Sequence, residues 1–255
     1  MTNKHLALLT GVNGQLGNAI RALLYESNVD IIGVDIAGTP CHYDYFRFLS
    51  GDITDEGCLD DFFSLIPDDV SSYVSFSLIN NAGVAVFTPS EDRTYDEYKF
   101  VTDLNIWAPL LSMTKFSQKV SELLRYPVNS SIKFSCVNIS SIYSLVAPNP
   151  SLYADTPRNS SEIYGASKAA LNQLTRYFAA RYAKQPISIN AICPGGVLNS
   201  TVQGPEFIKN YSSLVPMSRL CLEDEVASLV KYLCLERPDY LTGQVISLDG
   251  GLTSW

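Results

Sequence analysis

Thr10-Gly11-Val12-Asn13-Gly14-Gln15-Leu16-Gly17 carries three glycines in GxxGxxG spacing, directly after an apolar run and directly before a helical one. Glycine there permits a tight turn and a close approach of backbone to a ligand. The helix that follows offers unpaired N–H groups and the positive end of its dipole, a combination that holds a pyrophosphate. A glycine triplet alone is a weak signal; the strand before it and the helix after it make it a dinucleotide turn.

Outward from this turn the same alternation continues. Apolar runs suited to buried parallel strands recur at 6–9, 31–34, 74–79, 132–139, 187–192 and 245–248. Apolar spacing of three and four marks helices at 18–26, 55–66, 101–124, 162–182 and 223–235. Strand and helix in regular succession predict an α/β fold, a doubly wound parallel sheet in one domain over residues 1–255. Two polar or turn-rich segments, 144–161 and 197–213, follow strands and precede helices, so both are expected at the carboxyl edge of the sheet as walls of a substrate cleft.

Eighteen residues beyond Gly17, Asp35 ends the second strand, where a carboxylate can accept hydrogen bonds from an adenosine ribose and repel a 2′-phosphate. Positions 36–40 hold neither Arg nor Lys, and Asn13 and Gln15 are uncharged. NAD is therefore expected in preference to NADP. Asp52 with Ile53, and Asn81-Ala82-Gly83, end later strands, where short polar residues reach an adenine or lock neighbouring backbone.

Composition narrows the partners. With 18 basic and 26 acidic side chains the net charge is −8, which disfavours a nucleic-acid backbone. Hydrophobic residues make up 46% and charged residues 17%, as suits a sizeable core. No stretch approaches the roughly 20 apolar residues of a membrane helix, and the start of the chain shows no signal-peptide pattern. A cytoplasmic protein without a membrane partner is expected. The six cysteines are scattered, without a CxxC or a Cys/His cluster, and read as reduced thiols with no metal site.

Tyr164 and Lys168 are spaced i, i+4 at the start of a helix, which puts phenol and ammonium on one face. The pair follows Asn138-Ile139-Ser140-Ser141 and precedes Pro194-Gly195-Gly196-Val197, all after the glycine turn. With Asn80 to Gly83, Asn105 and Asp249-Gly250-Gly251, this ordered series resembles the short-chain dehydrogenase/reductase family over nearly the whole chain, and implies a Rossmann fold.

The resemblance implies that Tyr164 is the general acid/base, Ser141 holds the substrate oxygen, Lys168 binds the nicotinamide ribose and Asn105 positions a proton-relaying water. It implies a cofactor cleft built from Gly11, Asn13, Gly14, Gln15, Leu16 and Gly17, with Asp35, Asp52, Ile53, Asn81, Ala82, Gly83, Tyr164, Lys168, Pro194, Gly195 and Val197. The chemistry agrees. A free phenol has a pKa near ~10 and is a poor base at neutral pH unless positive charge favours the phenolate. Lys168 and an oxidised nicotinamide would supply that charge. Ser140 is a rival to Ser141, which leads because the family motif uses the second serine.

The implied reaction interconverts a secondary alcohol and a ketone on a small-molecule substrate. Ser141 and Tyr164 stand 23 residues apart, longer than in compact family members. The Ser-Ser-Ile-Tyr stretch with its long loop resembles compact reductases of surface-sugar and flagellin-modification pathways, and so suggests a sugar or sugar nucleotide. Asn149, Ser151, Tyr153, Asp155, Arg158 and Asn159 would suit such a ligand. The Thr of the family's PGxxxT pattern is replaced by Asn199, which leaves the carboxamide contact open. Alternatives are a nucleotide-sugar dehydratase or epimerase with bound NAD, and a 3-ketoacyl reductase. Ile142 and Tyr143 stand where dehydratases carry carboxylates, and the complete Asn, Ser, Tyr, Lys set argues against a redox-silent module. Helices 101–124 and 162–182 are apolar on more than one face, which predicts a homodimer or homotetramer.

Overall fold

The computed structural model describes residues 4–38, 46–126, 131–153 and 160–254, and places seven strands in one parallel sheet. They are β1 (Lys4–Thr10), β2 (Val29–Asp35), β3 (Phe46–Ser50), β4 (Tyr73–Asn80), β5 (Lys133–Ile139), β6 (Ile187–Pro194) and β7 (Val245–Leu248). Their spatial order is β3-β2-β1-β4-β5-β6-β7. The chain winds outward from β1 to β3, crosses to β4 and winds the other way. The order reverses between β1 and β4, where Leu8 pairs with Ile32 on one side and Leu78 on the other. A crevice opens at the strand ends of such a switch point.

Among the described residues seven α-helices cover the sheet: α1 (Gln15–Glu26), α2 (Glu56–Ser64), α3 (Tyr95–Thr102), α4 (Ala108–Leu123), α5 (Glu162–Arg181), α6 (Pro205–Leu214) and α7 (Glu223–Lys231). Ile20 and Leu24 of α1 pack with Val226 and Val230 of α7 on one face. Phe62 of α2, Phe116 of α4 and Phe178 of α5 pack on the other. Because both faces are covered, the central strands β4, β5 and β6 are buried along nearly their whole length rather than alternating between buried and exposed. Each fully buried phenylalanine contributes about 1.5–3 kcal/mol through removal from water.

The doubly wound parallel sheet expected from the sequence is present, with several local differences, among them the following. β3 was not expected; it is an edge strand paired only with β2, half-exposed, and five residues long, so its apolar run is weak. α3 begins at Tyr95, where Thr94 and Glu97 form a capping box. α6 lies inside the segment expected to be loop, and Pro205 at its first turn is the signal for it. The helix expected over 101–124 is split by a π turn, Asp103–Trp107, ahead of α4. Pro109 lacks the N–H that would reach the Asn105 carbonyl four residues back, so regular α geometry cannot run through this point.

A buried polar chain fixes three of these elements against one another. Asn80 Nδ2 donates to Asn138 Oδ1 at 2.8 Å, and Asn138 Nδ2 donates to Thr175 Oγ1 at 2.8 Å. The ends of β4 and β5 are thereby tied to α5, and these are the elements that carry Gly83, Ser141 and Lys168. Among the described residues no helix is long and apolar enough to cross a membrane.

Candidate active site

The crevice holds two adjoining cavities that share Leu16, Asn81, Gly83 and Val84. One, of about 610 Å³, lies over the glycine turn. The other, of about 480 Å³, lies over Ser141, Tyr164 and Lys168.

The glycine turn is held close to the end of β4. Gly11 has φ +65°, and a Cβ on it would lie 2.8 Å from the Ala82 Cα. A Cβ on Gly17 would lie 2.0 Å from the Gly11 carbonyl oxygen, so Gly17 sets the closeness of turn and helix rather than the cavity wall. Asn81 does not direct its amide to the cavity: Nδ2 donates to the carbonyls of Thr10 and Gly11 at 3.0 and 2.9 Å. It locks the turn, the second of the two roles open to it. Gln15 Nε2 is likewise engaged by the protein, donating to the Leu198 carbonyl at 2.7 Å.

Asp35 stands at the end of β2 with both oxygens aimed at backbone. Asn13 N–H donates to one at 2.9 Å and Ala37 N–H to the other at 3.3 Å. Asp52 accepts from the backbone N–H and hydroxyl of Thr54 at 2.9 and 2.8 Å. Asp35, Asp52 and Asp103 line the larger cavity, and no Lys or Arg does so among the described residues. Ile53, Ala82 and Leu104 supply an apolar wall between them. Glycine turn, helix N-terminus and carboxylate together fit the phosphates and ribose of a dinucleotide.

At the other end Ser161 caps α5, its Oγ accepting the Tyr164 N–H at 3.2 Å. This starts the helix so that Tyr164 and Lys168 share the face toward β5. The nearby Ser141 hydroxyl favours the phenolate of Tyr164, but burial outweighs it and holds the phenol above its ordinary pKa. Lys168 Nζ donates to the Ile139 carbonyl at 2.9 Å and lies 5.9 Å from the Tyr164 ring centre. Burial lowers its pKa to about 8. The chain's own groups thus do not bring the phenol into the neutral range, in contrast to what the i, i+4 spacing alone suggests; desolvation of the ring is the larger effect.

The two serines separate clearly. Ser140 Oγ donates to the Lys168 carbonyl at 3.1 Å and holds α5 against the end of β5, whereas Ser141 is the one beside the phenol. Asn105 sits behind the wall and is fully buried. Its Oδ1 accepts the Val84 N–H at 2.9 Å, and its Nδ2 donates to the Val84 carbonyl at 2.8 Å and to Ser167 Oγ at 2.9 Å. Ser167 in turn donates to the Tyr164 carbonyl at 2.7 Å. The Asn105 side chain therefore braces the strand end against α5.

Pro194, Gly195 and Val197 line the smaller cavity, as do Tyr153 from segment 144–161 and Val202 and Phe207 from segment 197–213. Asp155, Arg158 and Asn159 lie outside the described residues. Tyr143, Tyr211 and Phe207 also line this cavity; the sequence marked the stretches that hold them but not these side chains as lining, since their residue type is equally that of core. Among the described residues no group of His, Cys, Asp and Glu could hold a metal.

A family model described as enoyl-(acyl carrier protein) reductase matches residues 36–253. A tropinone reductase homolog of Arabidopsis thaliana is 36% identical over 211 residues, 80% of this chain and 73% of that protein. A short-chain dehydrogenase of Leptospira borgpetersenii with bound NAD+ superposes with a TM-score of 0.83 at 26% identity, covering 98% of this chain and 93% of that one. ElxO with NADPH bound shares the fold, with a TM-score of 0.82 at 22% identity over 99% of this chain and all of that one. The family match over most of the chain and the glycine turn, Ser141, Tyr164 and Lys168 set into one crevice lead to the same place: this chain belongs to the short-chain dehydrogenase/reductase family of oxidoreductases.

Proposed function

We propose that this chain interconverts a secondary alcohol and a ketone with NAD as the hydride carrier, through Ser141, Tyr164 and Lys168. The observation that carries the reading is the Ser141 hydroxyl, the Tyr164 phenol and, one helical turn on, the buried Lys168 ammonium lining one cavity that adjoins the glycine turn.

Tyr164 takes the hydroxyl proton of the alcohol on oxidation and returns it to the ketone oxygen on reduction. Ser141 holds that oxygen beside the phenol. Lys168, one of whose ammonium protons is held by the Ile139 carbonyl, would hold the nicotinamide ribose through the others and supply positive charge beside the phenol. The bound nicotinamide supplies the hydride acceptor or donor and, when oxidised, the positive charge that favours a phenolate. Asn105 keeps the Val84 backbone and the first turn of α5 in register, which holds the two faces of the site at a fixed separation.

The preference for NAD over NADP rests on Asp35, Asp52 and Asp103, whose charges repel a 2′-phosphate, and on the uncharged Asn13 and Gln15. Segments 144–161 and 197–213 are read as the substrate walls of one domain. Exposed aromatics on the face near α4 and α5, Trp107 and Tyr177, support a homodimer or homotetramer. The free thiols of Cys58, Cys136, Cys193, Cys221 and Cys234 suit a cytoplasmic setting.

The test is Tyr164→Phe, assayed by NADH absorbance against a panel of ketones and alcohols. Turnover is lost while NADH still binds, as read by its fluorescence. Turnover equal to that of the parent chain overturns the mechanism.

A further inference from the structure

Beyond Tyr164 the smaller cavity ends in a wall of aromatic side chains from three separate segments. Tyr143 comes from the turn after β5, Tyr153 from the short helix Pro150–Tyr153, and Phe207 and Tyr211 from α6. The Tyr153 and Phe207 rings lie 5.9 Å apart, and Phe207 and Tyr211 5.8 Å apart. Tyr211 is held by the main chain, its hydroxyl accepting the Gly196 N–H at 2.6 Å. The wall is a packed unit rather than a set of loose side chains.

Its polar groups are neutral. The Tyr143 and Tyr153 hydroxyls share a hydrogen bond at 3.1 Å, and burial keeps the Tyr143 phenol protonated. Among the described residues of this cavity Lys168 is the only ionised side chain, and its ammonium is turned to the Ile139 carbonyl. Among the described residues a phosphate or carboxylate against this wall would lose its water without meeting a cation, whereas an apolar ring loses nothing by the same desolvation. A phenol both donates and accepts, so Tyr143 can meet an uncharged oxygen of either kind.

Resting on the proposed alcohol–ketone chemistry, we infer that the substrate is a compact, uncharged ketone or its secondary alcohol, with an apolar body and a second neutral oxygen that meets the Tyr143 hydroxyl. Nucleotide sugars and acidic sugars do not match this wall, although the family resemblance and the long loop suggest sugars. Tyr143 is then the residue that sets specificity, and Ser141, two residues before it, the one that holds the reacting oxygen.

Three ketones of one ring size separate the possibilities: cyclohexanone, 4-hydroxycyclohexanone and 4-oxocyclohexane-1-carboxylate, each followed by NADH oxidation with the full chain. The hydroxyketone is expected to exceed cyclohexanone about 10-fold in kcat/KM. It should exceed the carboxylate at least ~100-fold. Tyr143→Phe should collapse the first ratio toward one, because it lowers hydroxyketone turnover more than cyclohexanone turnover. A carboxylate preference, or a first ratio unchanged in Tyr143→Phe, overturns the inference and leaves the alcohol–ketone reading standing. No turnover of any of the three by a chain that still binds NADH overturns both.

Discussion

Gln15 and Asn199 face each other across the mouth of the crevice: Asn199 Nδ2 donates to Gln15 Oε1 at 3.0 Å, while Gln15 Nε2 donates to the neighbouring Leu198 carbonyl at 2.7 Å. The first residue of α1 is thus clasped to the segment after β6, 184 residues away in sequence. Asn199 occupies the position where the family pattern has Thr, and the amide reaches a partner that a shorter hydroxyl side chain would not. In Gln15→Ala or Asn199→Ala, NADH dissociation, measured by stopped-flow fluorescence, should speed up by roughly 3–10-fold, as expected for loss of one or two exposed neutral hydrogen bonds. The double variant should cost less than the two singles together, because they remove one shared contact. Strict additivity would show that the clasp does not act.

Ser140 and Ser141 are adjacent yet do different work. Ser141→Ala removes the hydroxyl beside the Tyr164 phenol and should lower kcat by ~100-fold or more, in the range of a lost oxyanion partner. Ser140→Ala removes a bond to the Lys168 carbonyl and should cost about 1 kcal/mol of stability in denaturant melts, with kcat within about 3-fold of the parent. The reverse pattern would exchange their roles.

Asp35→Asn keeps the size of the side chain and removes its charge. Affinity for NAD should fall, and the NADP to NAD ratio of kcat/KM should rise ~10–100-fold as a repulsion near the 2′ position disappears. Both cofactors titrated by NAD(P)H fluorescence and steady-state rates give the answer. An unchanged ratio would show that Asp35 does not set the preference.

Gly83 is confined by chemistry on both sides. A Cβ there would lie 2.9 Å from Lys168 Nζ and 3.2 Å from Asn105 Oδ1. Gly83→Ala must displace the ammonium, the amide or both, and a displacement of this order costs about 100-fold in turnover. The melting temperature and far-ultraviolet dichroism should remain near those of the parent, since the crevice wall and not the core is disturbed.

Lys168 carries a pH signature. Burial lowers its pKa from 10.5 to about 8, so ketone reduction, which needs the ammonium and a protonated Tyr164, should decline as pH rises through about 8. The Lys168→Met variant should lose that limb along with most of its activity. Stability follows with the opposite sense. The unfolded lysine holds its proton up to 10.5, the folded one only to about 8, so the burial penalty is full below 8 and relieved between 8 and 10.5. The parent should therefore gain stability relative to Lys168→Met across that window, as read in urea melts at each pH.

Much of the fold could be read because it rests on local patterns. The glycine turn, the apolar runs 6–9 and 74–79, and the helical spacing of 162–182 each announce themselves within a few residues. β3 escaped because an edge strand buries one side only, and α6 because its opening Gly204-Pro205 resembles a turn as much as a helix start. The π turn at 103–107 has a cause in Pro109, but its outcome, Asn105 turned to Val84 and Ser167, depends on residues 21 and 62 positions away. The candidate site could be read as a series of motifs, and folding sets these along two adjoining cavities. The assignment of Asn81 and Gln15 to protein contacts could not be read, because both amides meet carbonyls brought near only by folding.

By itself the sequence determined that a parallel α/β sheet would form around a glycine turn, and that a phenol and an ammonium would share one helix face, since helical and strand periodicities are properties of neighbouring residues. The tertiary structure alone decided which serine meets the phenol, that burial lifts Tyr164 and lowers Lys168, and that an aromatic wall closes the cavity. Those outcomes depend on desolvation and on contacts between distant segments, and both arise only when the segments are packed.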